Sequence, residues 1–229
     1  MNAPHLPKPS QILIEAAQAQ VSLPFECQPL FTRTGEVFGH ELLYRGLLPQ
    51  AWIHVDSPVL RHLGRVKLDM NLLFVNIANE SLLAISDEAF ILASQRNKIV
   101  FELSEVFTGS QTIHHISAKV NRLIEHGVRF ALDDFGNGAD GLHRLYALKR
   151  VACVKIDGTF MRLCLERKDA AIALKSLILE WKKRDIIVVA EWIETQDLLS
   201  LAHSLDIDLT QGWYVDALYA PEEQSLVLE

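Results

Sequence analysis

Residues 128–138 read VRFALDDFGNG, an apolar run that ends in two adjacent carboxylates and a glycine-bearing loop. Asp133 and Asp134 stand where the apolar run stops. Strands that are buried on both faces of a parallel sheet read as short, continuous apolar stretches of this kind. Gly136 and Gly138 then give the loop backbone conformations that other residues rarely adopt. The stretch therefore predicts a buried parallel strand with acidic side chains at its carboxyl end.

The same arrangement recurs along the chain on both sides of this stretch. Charged residues end four further apolar runs: VFGHELL (37–43) with Glu41, IVFELSE (99–105) with Glu102 and Glu105, CVKID (153–157) with Lys155 and Asp157, and IIVVAEWIE (186–194) with Glu191 and Glu194. Helical patterns separate most of these runs, which is typical of βα units in a mainly parallel sheet. In a (β/α)8 barrel the carboxyl ends of the strands form the rim that carries the active site. We therefore predict an α/β fold, a TIM-like (β/α)8 barrel whose first helices are imperfect or shortened.

The domain organisation follows from length and local pattern. The chain has 229 residues, which fits one barrel-sized domain. Residues 1–22 predict an N-terminal extension with a short helix packed across the barrel, and residues 23–229 predict a single barrel domain. Within that domain, residues 25–31 and 36–44 predict a first strand pair, and residues 208–215 predict a last strand end.

The bulk composition excludes several classes of partner. A formal net charge of −7 and a pI near 5.7 argue against duplex nucleic acid, because proteins that bind it usually present basic faces. Three cysteines without paired spacing, Cys27, Cys153 and Cys164, predict reduced thiols in the cytoplasm, not a disulfide framework or a zinc site. No stretch has the ~18 apolar residues of a membrane span, so no membrane insertion is expected.

The acids at the strand ends indicate a cation. Several carboxylates on one rim would repel one another unless a cation neutralised them, which predicts a divalent-metal site beside a lysine. Taken singly, the residues allow plainer interpretations. Asn76 can be a satisfied polar strand residue, and Lys155 can be an ordinary surface lysine. Glu105, Asp157 and Asp140 are better interpreted as helix-cap or surface acids.

Eight short motifs carry a resemblance to a known family. They are CQPL (27–30), HELLYR (40–45), FVNIA (74–78), FELSE (101–105), ALDDFGNG (131–138), VKID (154–157), VVAEWIET (188–195) and TQGW (210–213). In order and kind they resemble the EAL domain, over roughly residues 25–221. The resemblance implies a TIM-like barrel and a bacterial phosphodiesterase that hydrolyses cyclic di-GMP to the linear dinucleotide pGpG in second-messenger signalling.

The resemblance also implies a site, residue by residue. The implied metal ligands are Glu41, Asn76, Glu102, Asp133 and Asp134. The implied catalytic residues are Lys155, which holds the attacking water, Glu191, which reaches the second metal or its water, and Glu194, which steadies the loop after Asp134. The implied substrate-binding residues are Gln28, Arg45 and Gln211. The cofactors would be two Mg²⁺ or Mn²⁺ ions, for which hard oxygen donors are suited.

The chain departs from the family pattern in several places. Leu42 replaces the alanine of the naming tripeptide, and Trp192 replaces a glycine, where its indole could crowd the rim or shift Glu191. The segment between Glu41 and Asn76 is shorter than in the family by roughly one helix. These departures leave two alternatives open: a catalytically inactive EAL module that acts as a cyclic di-GMP receptor or a protein-binding regulator, or another metal phosphohydrolase on the same fold. The resemblance further implies a homodimer through the helix after the DDFG loop, at about residues 139–148.

Overall fold

The structure, a computed structural model, describes residues 10–16, 21–103, 110–138 and 141–219. The strands are β1 Ser10–Ala16, β2 Val21–Thr32, β3 Val37–Tyr44, β4 Leu73–Ile77, β5 Ile99–Leu103, β6 Arg129–Phe135, β7 Cys153–Ile156, β8 Ile187–Ala190 and β9 Leu209–Thr210. The helices are α1 Ile53–Arg65, α2 Asn79–Ala84, α3 Asp87–Arg96, α4 Ser110–Glu125, α5 Gly141–Ala147, α6 Gly158–Glu166, α7 Lys168–Lys182, α8 Gln196–Ser204 and α9 Trp213–Tyr219.

The strands form a closed barrel. They pair in chain order, and β2 also pairs with β9, which closes β2 to β9 into a ring. The pairs from β3 to β9 are parallel, whereas β2 is antiparallel to both of its neighbours in the ring. The predicted TIM-like barrel is therefore confirmed, with one reversed strand.

The amino-terminal segment differs from the expectation, and the predicted helix there is wrong for residues 10–16. This segment is β1, which pairs antiparallel with β2 from Ser10 opposite Cys27 to Ala16 opposite Val21. On that side of β2, β9 pairs only with Phe31 and Thr32, so β1 supplies hydrogen-bond partners for a strand edge that would otherwise be bare. The division of the chain at residue 22 stays a prediction.

The last strand also differs from the expectation. Only Leu209–Thr210 is extended, and α9 begins at Trp213. Gly212 has a φ of 146°, and a Cβ atom at this position would lie 2.4 Å from the backbone nitrogen of Ile193. A glycine is required because only it tolerates both this backbone angle and this close approach, and the turn that it makes ends the strand.

The barrel interior is filled below its rim by an apolar layer. Its members are mostly strand side chains that pack in one buried cluster: Leu30, Leu72, Phe74, Val100, Ala131, Cys153, Val189 and Leu209. A larger buried cluster lies between the outer face of the strands and the helices. Cys27, Cys153 and Cys164 are all free and buried.

One helix, α1, connects β3 to β4 in the segment that the sequence predicts to be short. Beside it lies a cavity of about 790 Å³, which is lined by Tyr44, Trp52 and Val55 and also by Asn76. Asp56 of α1 lines the same cavity and is 6% exposed. Its Oδ2 accepts a hydrogen bond of 3.2 Å from the backbone N–H of Ala78, the residue that caps α2. Asp56 therefore ties α1 to the start of α2.

The Asp56 carboxyl group makes stability depend on pH. Burial raises its pKa from 3.8 to about 6, against the hydrogen bonds from Ser81 and Ala78. Because the folded state then binds the proton more tightly than the unfolded state does, the stabilisation is complete below pH 3.8 and is lost as the pH rises through about 6.

We predict that Asp56→Asn raises the free energy of unfolding by about 1–2 kcal/mol at pH 8, because a buried charge is removed while an acceptor for Ala78 remains. The gain should shrink towards zero as the pH falls to about 4. Urea unfolding at both pH values measures it, with the exposed Asp69→Asn as control. A loss of stability at pH 8 would contradict this account of Asp56.

Candidate active site

A layer of polar side chains crosses the barrel directly above the apolar layer. Side chains two positions apart on a strand point to the same face. Asn76 therefore follows Phe74, Glu102 follows Val100, Asp133 follows Ala131, Lys155 follows Cys153, Glu191 follows Val189 and Gln211 follows Leu209. On the reversed strand β2 the order is inverted, and Gln28 precedes Leu30. The strand register thus brings side chains from distant parts of the sequence to one level of the barrel.

Lys155 is the centre of this layer. Its Nζ lies 2.7 Å from an oxygen of Glu102 and 2.7 Å from an oxygen of Glu191. The same atom lies 3.1 Å from Glu41 and 3.2 Å from Asp133. The lysine side chain is 1% exposed, so it is not the surface residue that its local sequence allowed.

The charges in the layer do not balance. Burial opposes the positive charge of Lys155, but the four carboxylates outweigh this effect and raise its pKa well above 10.5. Burial also raises the pKa of Glu191 to about 8, although Lys155 opposes the shift. The pKa of Glu102 is raised well above 4.5 by burial and by the negative charge of Glu41. One ammonium group is therefore too little positive charge for four buried carboxylates.

Glu41 is the best supported of the four acids. Asn76 Nδ2 donates to its Oε1 at 2.8 Å, and Gln211 Nε2 donates to its Oε2 at 2.9 Å. Burial opposes ionisation, but Lys155 and these donors prevail and lower the pKa of Glu41. Gln211 Nε2 also donates to Gln28 Oε1 at 3.3 Å. The structure thus brings Asn76, Gln28 and Gln211 together with Glu41, as the resemblance implies.

The donor set fits a hard divalent cation. Carboxylate oxygens of Asp133, Asp134 and Glu191 lie within 4.8 Å of one another. Asp134 reaches this position from a backbone φ of 53°, in the left-handed region. Among the described residues, neither Glu102 oxygen nor Asp133 Oδ1, all of them buried, has a hydrogen-bond donor in bonding geometry, even though Lys155 Nζ lies 2.7 Å from Glu102 Oε1. Buried acidic oxygens with unfilled bonding capacity are what Mg²⁺, Mn²⁺ or Ca²⁺ binds.

Two predicted site residues lie outside this layer. Glu194 forms an ion pair of 2.7 Å with Arg162 of α6 near the surface. Arg45 forms an ion pair of 2.9 Å with Glu26, and its side chain is 51% exposed. Asp157 caps α6 by accepting a bond of 2.8 Å from the Thr159 N–H, which confirms its interpretation as a helix-cap acid. Glu105 and Asp140 lie outside the described residues.

Trp192 is accommodated at the rim. Its backbone φ is 54°, and its indole is exposed by 57%. A Cβ atom at Gly158 would lie 2.4 Å from Trp192 Cβ, so this glycine makes room for the indole against α6. The guanidinium of Arg162 lies 6.0 Å from the ring centroid. The crowding that the sequence suggested does not separate Glu191 from Lys155, which remain 2.7 Å apart.

Asp216 is a polar residue of this region that sequence reasoning missed. It lies on α9, and its Oδ2 accepts a bond of 3.1 Å from Gln28 Nε2. Asp216 follows Gln211 by only five positions. Because residues 208–215 are interpreted as strand, the sequence does not predict the helical turn that returns Asp216 to the neighbourhood of Gln28.

Comparisons with known proteins identify the family. A family model described as the EAL domain matches residues 53–217. The chain belongs to the EAL domain family. The matched range begins after Glu41, so the roles of Gln28, Glu41 and Arg45 depend on the resemblance of their motifs and on their position in the structure.

Curated relatives of this EAL domain are longer proteins. It is 24% identical over 237 residues to the oxygen sensor protein DosP of Escherichia coli, an alignment that covers 89% of this chain and 29% of the relative. It is 32% identical over 150 residues to the cyclic di-GMP phosphodiesterase PdeB of Shewanella oneidensis, covering 62% of this chain and 17% of the relative. The chain thus spans less than a third of the length of these two relatives.

Solved structures show the same fold. The EAL domain of DcpA from Mycobacterium smegmatis has a TM-score of 0.65 at 20% identity and covers 86% of this chain and 95% of its own. A standalone EAL protein of Vibrio cholerae O395, solved in a cyclic di-GMP-bound form, has a TM-score of 0.64 at 23% identity and covers 84% of this chain and 90% of its own.

Among the described residues, no helix combines the length and the apolar character needed to cross a membrane.

We predict that Lys155→Met lowers the free energy of unfolding by about 3–5 kcal/mol in the presence of a chelator, because four buried carboxylates lose their shared cation. Urea unfolding at pH 8 measures the loss. The control Lys149→Met removes only an exposed ion pair with Glu125 and should cost less than about 1 kcal/mol. Equal losses in the two variants would refute a special role of Lys155 in stability.

Proposed function

We propose that this EAL domain is a metal-dependent phosphodiesterase that hydrolyses cyclic di-GMP to pGpG in bacterial signalling. The observation that carries the proposal is the buried contact of Lys155 with Glu41, Glu102, Asp133 and Glu191. The names of relatives such as PdeB support the substrate class. Catalytically inactive members of such a family would be expected to lose acids of this layer, and this chain retains them.

The proposed cofactors are two Mg²⁺ or Mn²⁺ ions. We propose as their ligands Glu41, Asn76, Glu102, Asp133 and Asp134, with Glu191 reaching the second ion. Because Asn76 donates with Nδ2 to Glu41, its amide oxygen is the atom that would bind a cation. When bound, such ions supply Lewis-acid activation of the phosphodiester and of the attacking water.

The protein's own side chains position the reactants. Lys155 stays protonated among its carboxylates, so it can donate a hydrogen bond that holds the attacking water and stabilise negative charge on the phosphate. Arg45 lies on the rim with an exposed guanidinium, and a substrate phosphate can replace Glu26 as its partner. Gln28 and Gln211 are the remaining proposed substrate contacts.

Glu194 lies outside the polar layer, and its proposed role is to support the loop after Asp134 through α6. Its ion pair holds Arg162 of α6. Phe160, on the same helix, lies against the loop after Asp134, where a Cβ atom at Gly136 would be 2.4 Å from the ring. Glu194 would thus steady that loop through α6, and its assigned catalytic role is one of positioning.

The proposed activity is tested with the purified protein, cyclic di-GMP and Mg²⁺ or Mn²⁺. We expect formation of pGpG, and we expect Glu41→Gln to lower turnover by about 100-fold or more because a charged ligand is lost. The exposed Glu36→Gln, in the turn before β3, serves as control and should be unaffected. Linear product formed equally well by Glu41→Gln would contradict the assigned metal site.

A second candidate function is a catalytically inactive EAL module that acts as a cyclic di-GMP receptor or protein-binding regulator. The exposed Trp192 and the short segment between Glu41 and Asn76 favour it, because both change the rim and not the buried acids. Calorimetry separates the two functions: tight binding of cyclic di-GMP without turnover would support the receptor, and turnover would exclude it.

The proposal includes a homodimer through α5 and a cytoplasmic location. Leu142 and Tyr146 of α5 are 42% and 62% exposed, which suits a helix that packs against a second copy. We predict that Leu142→Glu converts a dimer to a monomer in sedimentation velocity, because a charge would be buried in the interface. Ile172→Glu, on the exposed face of α7, is the control. A wild-type monomer would contradict this part of the proposal.

A further inference from the structure

A chain of side-chain hydrogen bonds runs from α9 to the centre of the polar layer. Gln28 Nε2 donates to Asp216 Oδ2 at 3.1 Å. Gln211 Nε2 donates to Gln28 Oε1 at 3.3 Å and to Glu41 Oε2 at 2.9 Å. Two amides therefore stand between two carboxylates, one at the rim and one against Lys155.

Only one orientation of the two amides satisfies this chain. An ionised carboxylate accepts hydrogen bonds and cannot donate them, whereas a glutamine amide donates with its nitrogen and accepts with its oxygen. If Gln28 were turned over, its oxygen would face the oxygen of Asp216, and its nitrogen would face the nitrogen of Gln211. Both hydrogen bonds of Gln28 would be lost. Asp216 at one end and Glu41 at the other thus impose the same direction of donation.

Asp216 is held at a fixed position relative to Gln211. The backbone N–H of Ile193 donates to the Gln211 carbonyl at 3.0 Å, and the N–H of Tyr214 donates to the Ile193 carbonyl at 3.0 Å. The Asp216 N–H donates to the carbonyl of Gly212 at 2.9 Å, which begins α9. The turn between β9 and α9 is therefore fastened to the segment after β8, and the acid at position 216 cannot drift from the amides.

Retaining an acid at position 216 has a cost. Asp216 Oδ1 is buried and has no hydrogen-bond partner among the described residues, and burial raises the pKa of its carboxyl group to about 6. A buried polar atom without a partner destabilises the fold. An apolar residue would fill the same space without that cost, so packing alone does not account for an aspartate here.

We propose that Asp216 is a positioning residue, which acts through Gln28 and Gln211 to hold the Gln211 amide against Glu41 and so fixes the carboxylate for metal binding. This inference rests on the proposed function, because it assigns Glu41 to the metal. If the inference holds, a residue of α9, a helix outside the barrel strands, helps to position the polar layer.

Direct binding of Mn²⁺ tests the proposal. Calorimetry on metal-free protein at pH 8, where Asp216 is ionised, gives the Kd for the wild type, Asp216→Leu and Asp216→Asn. We expect Asp216→Leu to bind Mn²⁺ about tenfold more weakly, because the Gln211 amide would no longer be held against Glu41, and weakened support of a metal ligand typically lowers affinity by such a factor. Asp216→Asn retains an acceptor for Gln28 and should stay within about twofold of the wild type.

A matched control separates positioning from general damage. Asp208 accepts a hydrogen bond of 2.9 Å from the Val188 N–H and pairs with Lys182 at 2.9 Å, and neither contact involves the polar layer. Asp208→Leu should lower the Tm but leave the Kd for Mn²⁺ unchanged. An unchanged Kd in Asp216→Leu, or an equal loss in Asp216→Asn, would overturn the inference while leaving the proposed function intact. No Mn²⁺ binding by the wild type would overturn the proposed function, and the inference with it.

Discussion

The sharing of one buried ammonium group among four carboxylates is the constraint on which the upper half of the barrel depends. Lys155 meets acids from β3, β5, β6 and from the end of β8. The four acids must lie at the same height in the barrel for the contacts to form, so these contacts depend on the strand register. The arrangement leaves negative charge in excess, and that excess makes the layer suited to divalent cations.

The sequence was most informative where a buried strand ends in a charged residue. Apolar runs that stop on a charge predicted the strands of Glu41, Glu102, Asp133, Lys155 and Glu191, because burial on both faces and a polar end leave a clear pattern. The neighbourhood of Lys155 could not be derived from its own segment, since its partners lie at least 22 positions away along the chain. Only the order of the motifs placed them together.

The parts that the sequence did not predict are set by tertiary context. Residues 10–16 form a strand because they pair with an edge of β2. This pairing cannot be predicted from the β-propensity of the segment alone. The helical turn at Asp216 follows from the approach of Gly212 to Ile193. The partner of Glu194 is Arg162, an arginine with no distinguishing local pattern. Each of these features depends on a neighbour that is remote in sequence.

The reversed strand β2 has a consequence for how the barrel holds together. It meets β9 over only two residue pairs, Phe31 with Thr210 and Thr32 with Leu209. Together with the joint between β8 and β9, which also has two residue pairs, this joint is the shortest in the ring, and short joints are where the wall opens most readily. The bond between Gln28 and Gln211 crosses the same joint, one step nearer the rim. The side chains that support Glu41 therefore also join β2 to the end of β9, so opening of the wall at this joint would break the support of Glu41.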